Sequence, residues 1–286
     1  MDALKWDDLR VFLAVARGGT LASAAEVLGV NPSTVHRRIA TLEADLEAQL
    51  FERDPRGYAL TGVGEALLPK AHEVEEAILA VRRTATGHDR TAQGPVSLTL
   101  PETLLPIVAP QLAAVREACP GLRPVLVVRD AILTLGAEAD VALRPSSTPP
   151  PSAVGRKLGR IGWAVYGPAH DENEQEWVTY TDDAGPVATI HWRRKHHAHV
   201  PVLMEVSSVG AMHRVLCCTR ARGLLPCYLG DPEPKLSRRS EVIPEASVDL
   251  WLLIHADLRR SARVRALVDL LTPRLQAAAP LFSGEV

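Results

Sequence analysis

From Trp6 to Arg17 the apolar residues Leu9, Phe12, Leu13 and Ala16 recur at helical spacing, and Gly18-Gly19 ends the run. Thr20 is a favourable N-cap, and Leu21 to Leu28 reads as a short Ala-rich second helix closed by Gly29. A third helix begins at Asn31, a strong N-cap residue followed by Pro32 in the first helical position, and extends to about Leu46. Turned at about 100° per residue, Val35, Ile39, Leu42 and Leu46 gather on a buried side, while Ser33, Arg37 and Thr41 face the opposite way. Thr34, His36 and Arg38 lie on the flanks. "QLFER" and "GYALT" then flank the turn Asp54-Pro55-Arg56-Gly57, a small hairpin. Thr61 caps a long helix from about Gly62 to Thr84.

That long helix carries Leu67, Ala71, Val74, Ile78 and Val81 in steps of four and three, the rhythm of a coiled-coil seam. Packing on its own domain would account for the same stripe. The length of the helix and the narrowness of the stripe favour dimerisation.

After the polar linker "ATGHDRTAQGP" the pattern changes. "VSLTL", "RPVLVV", "ADVAL", "GWAVY", "EWVTY", "PVLMEV" and "DLWLLIH" are strand-like, with helical stretches between several of them, such as Leu104 to Ala118 and Val209 to Arg222. Such alternation predicts an α/β domain with a largely parallel sheet. Ligands in open α/β sheets sit beyond the carboxyl ends of strands, near helix N-termini. "SLTLPETLLP" puts Glu102 and Thr103 at such an end, and "LMEVSSVGAM" puts Ser207 and Ser208 at another; helix capping alone would explain both. Arg144, at the end of "ADVALR", is a further candidate, with a surface position as its alternative.

The composition is that of an ordinary soluble chain, with 47% hydrophobic and 23% charged residues over 286 positions. A net charge of −2 announces no nucleic-acid binder, so any such case rests on local geometry. The charged N-terminus lacks a signal-peptide core, and no apolar run reaches the ~18 residues of a membrane span, so a cytoplasmic, membrane-free protein is expected. Cys119, Cys217, Cys218 and Cys227 match no zinc spacing and are read as small buried thiols, with a redox pair as the lesser reading. "IHWRRKHHAH" holds His191, His196, His197 and His199 among cations and without a carboxylate, which predicts a solvated face rather than a metal site. No G-x-S-x-G, P-loop or H-E-x-x-H pattern occurs, so neither an enzyme nor a cofactor is expected.

An Ala-rich helix, a Gly turn and a capped helix with short polar groups around an arginine together make a helix-turn-helix. Arg53 and Arg56 on the hairpin stand like a wing beside a phosphate backbone. Double-stranded DNA is the expected partner, contacted by Asn31, Pro32, Ser33, Thr34, His36, Arg37, Arg38, Thr41, Arg53 and Arg56. Residues 1–90 hold eleven Lys or Arg against fourteen Asp or Glu, so non-specific affinity should be modest and two copies would help.

The stretch "LRVFLAVARGGTLASAAEVLGVNPSTVHRRIATLEADLEAQLFERDPRGYALTGVGEALLP" resembles the N-terminal domain of the LysR-type transcriptional regulators. The match runs through Thr20-Leu21, Ala24-Ala25, Val35, Arg37, Ile39, Leu42-Glu43, Leu50-Phe51, Arg53, Leu60-Thr61 and Gly64. His36 stands where the family has Ser, and Ser33 where Pro is common, so the usual DNA half-site does not carry over at those points. The resemblance implies a winged helix-turn-helix over 1–61, a linker and dimerisation helix with a hinge over 62–93, and a two-lobed α/β effector domain over 94–286. Lobe one is expected at 94–161 plus 256–286 and lobe two at 162–255. It also implies that the loops carrying Glu102 and Thr103 and carrying Ser207 and Ser208 face each other across an interlobe cleft for a small effector; hydroxyls beside two helix termini would suit a carboxylate-bearing metabolite, with Arg144 a further candidate that a surface position would equally explain. The chain would act as a dimer or tetramer at promoter DNA, with contact to RNA polymerase as a further implication. Two rivals remain at this stage. One is a DNA-binding oligomer whose second domain holds no ligand. The other is a ligand-binding α/β protein with a winged-helix interaction module.

Overall fold

The computed structural model describes residues 4–54, 57–87, 91–129, 135, 139–151, 153–170, 176–182 and 186–285. The chain divides into two compact units, Met1–Arg82 and Arg83–Val286.

The first unit contains α1 (Trp6–Gly18), α2 (Leu21–Leu28), α3 (Pro32–Asp45), β1 (Phe51–Asp54), β2 (Gly57–Leu60) and most of α4 (Gly62–Gly87). Its core is formed by Phe12, Leu13, Val15, Ala24, Ala25, Val35, Ile39, Leu42, Leu50 and Phe51. The Phe12 and Phe51 rings lie 5.4 Å apart, tying α1 to the hairpin. Local signals set the helix starts. Thr20 Oγ1 accepts from Ser23 N, and Thr61 Oγ1 accepts from Gly64 N. Two details differ from expectation. Asn31 occupies the N-cap of α3, but its side chain makes no capping bond. Leu46 is 37% exposed rather than buried, because α3 ends at Asp45 and Glu47 turns the chain with a positive φ.

The hairpin is held close to the α1–α2 turn by Tyr58 N donating to Gly19 O. Gly57 makes this approach feasible. Its φ is +142°, and a Cβ there would collide with that same carbonyl. Along α4, Ala71 is buried and Leu67 packs against the core of the first unit. Val74 and Val81 are exposed, and Ile78 is half-buried. The stripe therefore divides into a half that packs on its own unit and a half that faces outward.

Among the described residues the second unit contains two larger sheets and a two-stranded one. The five-stranded sheet runs β4 (Leu122–Val128), β3 (Gly94–Leu100), β5 (Val141–Pro145), β12 (Val248–His255), β6 (Ala153–Ile161). The other sheet runs β10 (Gly223–Pro226), β7 (Trp163–Pro168), β11 (Leu236–Arg238), with a parallel pair β8 (Trp177–Tyr180) and β9 (Val202–Val206) beside it. Helices α5 (Leu105–Ala118), α6 (Val187–His197), α7 (Val209–Leu216), α8 (Cys227–Gly230), α9 (Ala262–Ala277) and α10 (Ala279–Ser283) complete it.

Three sequence expectations are corrected here. Rather than largely parallel, the five-stranded sheet is mixed, since β12 runs antiparallel to β5 and β6, and the three-stranded sheet is antiparallel, with β7 antiparallel to β10 and β11. β12, expected within lobe two as part of 162–255, sits inside the sheet of lobe one, because the chain crosses back before Val248 rather than after His255. The helix from Val209 stops at Leu216 instead of Arg222. β6 was not legible as a strand: it lies at a sheet edge, where Arg156, Lys157 and Arg160 replace an apolar run.

Candidate nucleic-acid interface and ligand cleft

Helix α3 is anchored by Val35, Ile39 and Leu42, each almost completely buried. That anchoring turns Ser33, His36, Arg37 and Thr41 to the surface, with Thr34 half-buried. Asn31 and Pro32 are also exposed. Pro32 has no N–H, and Thr34 N and Val35 N already reach Asn31 O. The first turn therefore offers the Ser33 amide, its hydroxyl and the uncommitted Asn31 carboxamide, a set suited to a phosphate oxygen. Thr41 Oγ1 is turned inward along the helix, donating to Arg37 O at 3.0 Å.

The two neighbouring arginines differ. Arg38 Nη1 lies 3.5 Å from Asp8 Oδ1 and 3.7 Å from Asp7 Oδ2, so this cation is tied to the start of α1. Arg37 is exposed, and its guanidinium makes no hydrogen bond or ion pair among the described residues. Arg53, on β1, is exposed as well. Arg56 lies outside the described residues. Part of the acidity counted in this unit is internally engaged: Asp7 and Asp8 with Arg38, Glu75 with Arg17, Glu73 with Lys70. Glu43 is a structural residue that sequence reasoning left without a role. Its Oε1 accepts from Leu50 N at 2.8 Å and Phe51 N at 3.2 Å, fixing the hairpin against α3.

In the second unit a cavity of about 520 Å³ opens between the two sheets. Thr103, Arg144, Ser207 and Ser208 all line it, although they come from three separate strand ends. Glu102 does not. It is exposed, 3.6 Å from Arg214, because the turn after Pro101 points successive residues in different directions. Arg144 is buried, with Nη1 donating to Arg129 O at 2.6 Å and Nη2 to Thr99 Oγ1 at 2.7 Å. Ser208 caps α7 by accepting from Ala211 N, so the helix end is fixed at the cavity wall.

Tyr228 was missed from the sequence. Its OH lies 2.8 Å from Thr103 Oγ1, joining the end of β3 to the start of α8 across the cleft. The only local hint was Pro226 between a Gly-Leu-Leu strand and a short helix. Ser146 and Thr148 add hydroxyls, and Trp163, Ile161, Val187 and Val248 supply apolar wall. No Asp or Glu is among the described lining residues. The cleft thus combines one cation, several hydroxyls and a largely apolar surface.

Outside the cleft, His191, His196 and His199 are exposed as expected, but the segment is not simply solvated. The His196 ring stacks on Trp192, and His197 lies against Trp177 and Trp192 at 4.7 and 5.3 Å. Burial, reinforced by Arg222 and the neighbouring histidines, lowers the His197 pKa. All four cysteines are free thiols. Cys227 is buried, Cys119 and Cys217 are half-buried, and Cys218 is exposed, against the expectation of uniformly buried thiols. No helix among the described residues is long and apolar enough to cross a membrane.

A winged helix-turn-helix with an outward arginine, followed by a two-sheet α/β domain around a cleft, defines a DNA-binding transcription regulator with a ligand-binding domain. Residues 6–65 match the bacterial regulatory helix-turn-helix protein, lysR family, and residues 89–276 match the LysR substrate binding domain. The chain therefore belongs to the LysR family of transcriptional regulators. It is 24% identical over 293 residues to a probable HTH-type transcriptional regulator, LtrA, of Klebsiella pneumoniae, covering 94% of each chain. Among solved structures it shares its fold with the Vibrio cholerae virulence activator AphB, at 20% identity and a TM-score of 0.54 over 94% of this chain and 98% of that one. CrgA from Neisseria meningitidis is similar at 21% identity and a TM-score of 0.54, over 96% of this chain and 99% of that one.

Proposed function

We propose that this regulator is controlled by a small anionic effector, a carboxylate on an apolar body, held in the cleft by Arg144, Thr103, Ser207, Ser208 and Tyr228. The observation that carries this reading is the convergence of a buried arginine and four hydroxyl side chains on one mainly apolar cavity with no carboxylate among its described lining residues. The guanidinium supplies the charge that discriminates an acid from its amide or ester. The apolar walls supply the affinity, at roughly 25 cal/mol per Å² of apolar surface removed from water. Effector binding would act on the Thr103–Tyr228 bond, which joins the turn after β3 to the start of α8.

On the DNA side, Arg37 reads a base edge in the major groove, while Asn31, Ser33 and Thr34 hold a phosphate and Arg53 and Arg56 grip the backbone from the wing. His36 contributes a contact of its own in place of the family's serine. The outward half of α4, with Val74, Ile78 and Val81, packs against a second copy, so that two recognition helices meet the promoter together. The chain works in the cytoplasm.

A thermal-shift screen with a library of small carboxylic acids and their amides tests the effector reading. A true effector raises the melting temperature as RT ln(1 + [L]/Kd) requires. Arg144→Gln removes that rise while leaving the melting temperature of the free protein within a few degrees. A library without any stabilising acid supports instead a second domain that serves only assembly.

A further inference from the structure

We propose that His213, Cys217 and Glu233 form a binding site for a divalent cation of zinc-like chemistry, outside the lining of the effector cleft. His213 and Cys217 stand four residues apart at the end of α7, a spacing that puts both side chains on one helical face. Glu233 arrives from the segment after α8. His213 Nε2 lies 3.3 Å from Glu233 Oε2 and 3.7 Å from Cys217 Sγ. One ligand atom from each residue lies within 4.8 Å of the other two. A tetrahedral zinc ion, with bonds of about 2.0 Å to nitrogen and oxygen and about 2.3 Å to sulfur, keeps its ligand atoms roughly 3.3 to 3.6 Å apart. The nitrogen–oxygen and nitrogen–sulfur separations fall on that scale.

The donor set decides the class of cation. An imidazole nitrogen, a thiolate and a carboxylate suit zinc and its first-row neighbours, whereas magnesium and calcium take oxygen ligands. Three protein ligands leave one position for water or a small anion. The carboxylate is already aimed: Glu233 Oε1 accepts from Lys235 N at 3.2 Å, which leaves Oε2 toward His213. The His213 and Glu233 side chains are each 22% exposed, so an ion reaches them from solvent. As the sulfur–metal bond forms, Cys217 releases its proton to solvent.

The location gives the site a consequence. Ser208 and Val209 at the start of α7, and Tyr228 in α8, line the effector cleft. A cation joining the far end of α7 to the segment after α8 would tie together two cleft-forming elements, and so act as a second input on that lobe.

The test is zinc titration of the full-length protein by calorimetry, with cobalt(II) as a spectroscopic stand-in. The expected result is one ion per chain and, with cobalt, a sulfur-to-metal charge-transfer band in the near ultraviolet. Cys217→Ala and His213→Ala each weaken zinc binding by about tenfold or more, and Cys217→Ala removes the band. Cys218→Ala, at the neighbouring exposed thiol, keeps both. Zinc raises the melting temperature of the wild type but not of Cys217→Ala. If Cys217→Ala proves unfolded by circular dichroism, Cys217→Ser keeps the side-chain size and still loses the band. Absence of zinc binding by the wild type overturns the proposal, as does binding unchanged in both single variants. Neither outcome touches the DNA-binding reading, because no member of the cluster lies in the first unit.

Discussion

Arg37 and Arg38 are adjacent in sequence and separate in role. Arg38 is neutralised by Asp7 and Asp8 on α1, whereas Arg37 is presented outward. Arg38→Ala is accordingly expected to lower the melting temperature of the protein while changing its preference among DNA sequences little, measured by denaturation and by competition binding. Gly57→Ala should cost at least about 1 kcal/mol of stability, because it combines a positive φ with a collision at Gly19 O. Chemical denaturation of the full-length protein reads this directly, and an unperturbed midpoint would contradict the packing of the wing. In the cleft, Thr103→Val removes the hydroxyl that meets Tyr228 OH without changing side-chain size. It is expected to weaken effector response more than it alters the free protein. At this scale, sequence reading succeeded where one residue acts locally. Thr20 and Thr61 cap the helices they precede. It failed where the partner is distant. Nothing near Arg38 names Asp8, and Tyr228 meets a residue 125 positions away.

The elements obey the same division. α1 to α4 and the hairpin were legible because helical spacing, Gly stops and a four-residue turn are short-range signals. The order β4-β3-β5-β12-β6 was not, since β12 reaches its neighbours from about a hundred residues away and the hydrophobic pattern does not record which strand it joins. α6 shows how context rewrites a local pattern. Its histidines read as a solvated face, yet His196 and His197 lie against indole rings. A lowered folded-state pKa means that neutral His197 is favoured in the folded protein. Its contribution to stability is therefore present above the ordinary histidine range, near pH 6.5, and is lost as pH falls through that range. The melting temperature should drop on acidification from neutral pH, and His197→Gln should reduce that drop. α4 has a prediction of its own. Val81→Glu places a charge on the outward half of the stripe, and sedimentation should show a shift from dimer toward monomer.

For the whole molecule, the account joins a DNA-reading unit of nearly balanced charge to a ligand-binding unit. Affinity for DNA is then expected to depend on a few well-placed cations rather than on bulk attraction. Binding should weaken steeply with salt, and Arg53→Ala should reduce the slope of log K against log salt by about one if it contacts a phosphate. The family was legible in the sequence, as were the helices α1 to α4 and the hairpin strands β1 and β2. The side on which Arg144 falls, the exclusion of Glu102 and the part played by Tyr228 needed the three-dimensional arrangement. The central claim is that α3 reads DNA through Arg37. The most direct measurement is the affinity of full-length wild type and Arg37→Ala for a genomic fragment selected by the wild-type protein, compared at one salt concentration by mobility shift. The account predicts a loss of about 1–3 kcal/mol in the variant, with relaxed discrimination at one base pair. Equal affinity and unchanged discrimination would contradict it.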